Sequence, residues 1–344
     1  MQRSADLNLI LWRRSPGQSF PMAGSRKFVA GLVACALLCS LLALWLPLQV
    51  SVITVFLFAG PHNWFELRYF LLRLPLRFGR SRAFFLTAFG GIAFLTLTYV
   101  SLPLIYNFKL WSGDWSIPIA IWNSFLLLWL GVLARLRGKL KPHTDWSWAI
   151  PLALLAVGVN WLEPELFSLA IVYVHPLIAL WFLDRHLRRV RPEWLTVYRR
   201  CLCLLPMVIG GMCWQLSATP SLPDDNGLFW RITQHAGAEL LPNISSHLLV
   251  SVHLFLEMLH YAVWLVALPL IGGAGRVWDV KTVPLARHPL GFPQLIKSLL
   301  IVGVFLTGLL WLGFSVDYST TRDVYFTVAI AHVLAEAPFL LRMI

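Results

Sequence analysis

Apolar runs of about twenty residues recur from one end of this chain to the other, separated only by short polar intervals. Wound as a helix rising 1.5 Å per residue, such a run matches the hydrocarbon thickness of a bilayer. No water is available there, so a spanning segment must satisfy its own backbone N–H and C=O groups. The expected fold is therefore all-α, a polytopic bundle of membrane helices. Composition agrees, since 58% of the residues are hydrophobic and 13% charged, where a soluble protein carries about a quarter charged. The 17 tryptophans fit the aromatic belts at membrane boundaries.

Ten membrane helices are expected, over residues 28–47, 49–72, 84–106, 117–135, 147–161, 164–184, 198–215, 248–271, 294–315 and 321–341. Charge placement orients them. Arg13, Arg14, Arg26 and Lys27 precede the first. Basic clusters at Arg73–Arg82, Arg135–Lys141, Arg185–Arg191 and Arg276–Arg287 follow the second, fourth, sixth and eighth. Asp114, Glu163, Glu165, Asp224, Asp225, Glu239 and Asp317 fall on the other side. Both termini are thus expected in the cytoplasm, residues 1–27 forming a cytoplasmic N-terminal segment with no cleavable signal peptide. The whole chain, 1–344, reads as one membrane domain. Residues 217–247 form the longest exposed loop, and Trp230 with Leu240 and Leu241 suggests a short interfacial helix or lid. The net charge of +12 is absorbed by these clusters, so no nucleic-acid partner is expected. The five cysteines, inside apolar runs, read as packing residues.

Four of the apolar segments carry a histidine near their middle: His62, His175, the pair His253 and His260, and His332. Glu66, Glu257 and Glu336 each follow a histidine by one helical turn. Ionisable side chains within hydrocarbon cost several kcal/mol and persist where a partner, a cavity or a metal compensates. Residues at i, i+4 and i+7 share a helix face, so His253, Glu257 and His260 form one polar stripe. The four segments are all even-numbered and run in the same direction, which puts most of these imidazoles within about two helical turns of one depth. The candidate metal ligands are His62, His175, His253, His260, His332 and Glu66. Glu257, Glu336 and Tyr261 are candidate catalytic groups, and each glutamate could instead orient a ligand. Taken singly, a membrane histidine is usually a hydrogen-bonding residue between helices, and a His/Glu pair can be an ion pair or proton relay. His143, His186 and His288 lie in basic loops and read as solvated, whereas His235 and His247 could line an access path. Arg68 and Arg73 read as snorkelling side chains, and Arg322 with Asp323 and Asp317 as a local ion pair at a helix end.

The segments PHNWFELRYF, HLFLEMLHYAVW and HVLAEAPFLLR resemble the histidine-bearing helices of the Brp/Blh-type membrane β-carotene dioxygenases and their uncharacterised bacterial relatives. The resemblance covers three helices. It implies a non-haem iron held by histidines, here His62, His253, His260 and His332, opening a polyene with O2. Glu66, Glu257 and Glu336 depart from an all-histidine set.

The leading expectation is a membrane-embedded metal enzyme, with non-haem iron ahead of zinc or haem, in the inner membrane of a bacterium. It would act with O2 on a lipophilic substrate such as a carotenoid, another isoprenoid or an acyl chain. Three alternatives stand beside it. They are a proton-coupled transporter using the His/Glu pairs, a haem-binding electron carrier, and a lipid-linked transferase with Asp224 and Asp225 as thin candidates.

Overall fold

In the computed structural model, residues 23–344 are described apart from 142–143, 224, 226, 273–278 and 289–290. The expectations placed on Arg13, Arg14, His143, Asp224 and Arg276 lie outside the described residues. Those described form helices and connecting turns, with no strand among them. In chain order the helices are α1 (Ala23–Trp45), α2 (Pro47–Arg73), α3 (Arg82–Asn107), α4 (Ser116–Lys139), α5 (Ala149–Asn160) and α6 (Pro164–Val190). There follow α7 (Pro192–Leu202), α8 (Leu205–Leu216), α9 (Leu228–His235), α10 (Ser246–Gly272, containing a π-turn), α11 (Pro284–Arg287), α12 (Pro293–Val316) and α13 (Tyr318–Met343).

Eight of these are long and apolar enough to cross a bilayer: α1, α3, α4, α6, α7 with α8, α10, α12 and α13. The other two of the ten expected spans are α2 and α5. Helix α2 has 27 residues, but His62, Asn63, Glu66 and Arg68 dilute its apolar character. Helix α5, with 12 residues, rises only about 18 Å and lies along α4, where Asn160 Nδ2 donates to the Ala120 carbonyl at 3.0 Å. Sequence hydropathy also places the seventh span too late. Helix α7 starts at Pro192 with a polar turn, then docks on α6 through Tyr198 Oη to the Leu180 carbonyl at 2.7 Å and a bidentate Arg199–Asp184 pair at 2.7 and 3.1 Å.

The bundle is apolar outside and polar within, as expected where lipid rather than water surrounds it. Helix α12 shows the outer character, with Leu295, Ile301, Phe305, Leu306 and Leu312 all exposed. Helix α10 is its opposite: 67% of its apolar window is buried, against 39% or less for every other candidate span. It is the axis on which α1, α2 and α6 pack.

Contacts at both ends establish the helix directions. At one end Tyr318 Oη donates to Val52 O at 3.0 Å, Asn123 Nδ2 to Pro164 O at 3.0 Å and Tyr173 Oη to Leu249 O at 3.0 Å. These join the early turns of α2 with α13, α4 with α6, and α6 with α10. At the other end Arg73 bonds His186, Arg137 Nε donates to Leu341 O at 3.0 Å and Arg342 bonds the Arg73 carbonyl. Helices α2, α4, α6, α10 and α13 therefore run in the same direction. The last turns of α2, α4, α6 and α13 carry Arg73, Arg137, Lys139, Arg188, Arg189 and Arg342, where cations complement the helix dipole. Asp317 caps α13 by accepting from Thr320 N at 3.1 Å, and that bonding holds its carboxyl below the usual range.

Candidate metal centre

Each helix that carries a mid-span histidine has a proline or a π-turn within about two turns of it. Proline lacks an N–H and crowds the carbonyl four residues back, so it loosens the helix. Pro61 precedes His62 in α2, Pro176 follows His175 in α6, and Pro338 lies two residues past Glu336 in α13. In α10 the turn after His260 is instead a π-turn, Val263–Ala267, a form that concentrates at functional sites. Four co-directional helices thus present imidazoles to one another near their midpoints.

The rings form a closed quadrilateral. Centroid separations are 5.4 Å for His62–His260, 4.7 Å for His260–His175, 5.1 Å for His175–His332 and 5.3 Å for His332–His62. His260 and His332 face each other across it at 6.4 Å. Glu66 and Glu336 reach the same space from one turn further on. His62, Glu66, His260 and His332 each offer a ligand atom within 4.8 Å of the others, and His175, His260 and Glu336 do the same. Metal–nitrogen and metal–oxygen bonds are about 2.0–2.2 Å, so opposed ligands lie a little over 4 Å apart, and both sets fit an ion after small movements.

Hydrogen bonding sets which atoms are available. His62 Nδ1 donates to the Phe58 carbonyl at 2.9 Å, leaving Nε2 as a lone pair. His175 Nδ1 lies 3.0 Å from Glu336 Oε2, and its Nε2 lies 3.3 Å from His332 Nε2. Both carboxylate oxygens of Glu66, both ring nitrogens of His260, Nδ1 of His332 and Oε1 of Glu336 are buried without a hydrogen-bond partner. Each such atom costs about 1–3 kcal/mol if nothing satisfies it. Six of them, spread over two adjoining groups that share His260, form a donor set of the kind that a cation compensates. Glu66 is 1% exposed, His260 2% and Glu336 0%. His175 and His332 are half-buried, so the accessible side of the centre lies between α6 and α13.

The remaining sequence candidates, His253, Glu257 and Tyr261, all lie on α10. His253 lies seven residues before His260, about 10 Å of helical rise, and its ring meets Tyr173 at 5.6 Å and His235 at 5.1 Å. Glu257 accepts from Tyr261 Oη at 2.7 Å instead of reaching the quadrilateral. Tyr261 touches the centre only through its ring, 4.6 Å from that of His62. Tyr325 and Asn63, joined at 3.4 Å, belong to the same polar layer. His186, expected in solvent, is buried and 3.1 Å from Arg73, because Tyr69 closes over it. His288 is exposed, and His247 bonds the Leu44 carbonyl at 3.2 Å.

The segment 217–247 covers this layer. Ile232 and Ala236 of α9 and its C-terminal turn pack on Leu48 of α2 and on Leu249 and Val250 of α10. Arg231 pairs with Asp323 of α13, while Arg322 is buried with its guanidinium over the Phe326 ring, 4.7 Å from its centroid. After α9 the chain turns at Gly237, whose φ of +92° is left-handed and whose Cα faces Leu169. Gly237→Ala adds both strain and a clash and is expected to cost about 1–3 kcal/mol. Lower thermal stability and faster proteolysis of this segment would register it.

No family model, curated protein or solved structure matches this chain.

Proposed function

We propose that this integral membrane protein is a non-haem metal enzyme, with iron as the favoured ion. It acts with O2 on a lipophilic substrate such as a carotenoid, another isoprenoid or an acyl chain. The carrying observation is the meeting of four imidazoles and two carboxylates from four helices, with buried donor atoms that have no partner. His, Glu sets with room for further ligands suit iron and O2 chemistry. A bound iron would supply redox chemistry there. The protein's part is to hold its donors in place, keep water out and admit substrate at the half-buried side between α6 and α13.

The other expectations have less support. A haem needs an open plane between two axial histidines, and here the other imidazoles occupy that space at 4.7–5.4 Å between centroids. A proton relay can draw on the bonded His175–Glu336 pair. It leaves the unpartnered atoms of Glu66 and His260 without a role.

Elemental analysis of protein purified anaerobically in detergent tests the proposal. At least one first-row transition metal per chain is expected after dialysis, together with O2 uptake when a polyene or long-chain acyl substrate is supplied to the iron-loaded protein. Protein that carries no metal and takes up neither Fe(II) nor Zn(II) would overturn it.

A further inference from the structure

The buried donors exceed what one ion with an open coordination position takes. His62, Glu66, His260 and His332 make one complete set. An ion there would engage Glu66 and a single nitrogen of His260. The second nitrogen of His260 and Oε1 of Glu336 would stay buried and unpartnered, which folded proteins rarely tolerate. Both residues belong to the other set, with His175. His175 is already oriented, since its Nδ1 is held by Glu336 Oε2 at 3.0 Å. Its Nε2 stands 3.3 Å from His332 Nε2, so the two donor sets adjoin at this pair of rings.

We propose that the centre is binuclear: one divalent transition-metal ion lies among His62, Glu66, His260 and His332, and a second among His175, Glu336 and His260. This rests on the metal reading above and adds a second ion to it. His260 lies between the two positions. Both of its ring nitrogens lack a hydrogen-bond partner, so one would be available to each ion, and its N–H proton would be released as the second ion binds. Glu336 changes from a support of His175 into a ligand in its own right, through the oxygen that has no other partner.

The test is a count of ions on the full-length protein. Metal-free protein in detergent is titrated with Zn(II), separated from free ion and analysed for zinc. Two ions per chain are expected for the unaltered protein and one for Glu336→Gln, a substitution that keeps the side-chain volume. His175→Ala should also bind one, with circular dichroism and elution volume confirming its fold. One ion in the unaltered protein, unchanged in Glu336→Gln, overturns the binuclear proposal and leaves the metal reading standing. His175 and Glu336 then act as a hydrogen-bonded support for His332. Two ions retained by Glu336→Gln also overturn the assignment. No zinc bound at all would defeat the metal reading itself.

Discussion

Replacing His260 by alanine should strip the purified protein of bound metal. His260 is the one residue common to both donor groups, and it sits on the most buried helix of the bundle. Loss of a partner that merely orients a ligand lowers metal affinity about 10–100-fold. Loss of a direct ligand shared by both groups should exceed that. Elemental analysis after dialysis measures the effect, and His253→Ala is the contrasting variant. The His253 ring rests on Tyr173 and His235, about two helical turns from the centre, so that variant should keep its metal. Full metal content in His260→Ala would remove the centre as drawn. Equal loss from both variants would indicate a general failure of the fold.

The second large effect is expected from Gly91→Ala in α3. A methyl group there would overlap the indole of Trp129 in α4, which is pinned by its own Nε1–H donating to the Thr87 carbonyl at 2.9 Å. Trp129 cannot yield without losing that bond and its packing with Trp122, Leu126 and Leu133. Overpacking of this kind costs about 1–3 kcal/mol, and the lost hydrogen bond adds about 1 kcal/mol. Thermal unfolding in detergent, followed by tryptophan emission, should show a lower transition with a red-shifted folded baseline. The same cluster includes Leu334, between His332 and Glu336 on α13. The α3–α4 pair therefore buttresses the outer side of a ligand-bearing helix.

Much of this arrangement was legible from residue order alone, and the reasons differ from residue to residue. His62, His175, His260 and His332 sit at similar positions in runs of similar length, so a common depth follows from the helical rise. Their shared direction follows from the alternation of arginine clusters along the chain. His253 misleads because an i, i+7 spacing reports azimuth around a helix and not depth relative to its neighbours. Seven residues carry it away from the other rings while leaving it on the same face. Glu257 shares that face too, but Tyr261 lies one turn away and engages it. His186 sits in DRHLRR, a context that reads as aqueous. Only the return of α2 alongside α6 brings Tyr69 and Arg73 to bury it. The π-turn after His260 has no signal in residue type beyond Pro269 nearby.

His332 and Glu336 stand one turn apart on α13, a helix fastened at both ends: Tyr318 ties its first turn to α2, and Leu341 and Arg342 tie its last turn to α4 and α2. A rod held in this way shifts its side chains together, so a disturbance at either tie would displace both residues from their partners at once.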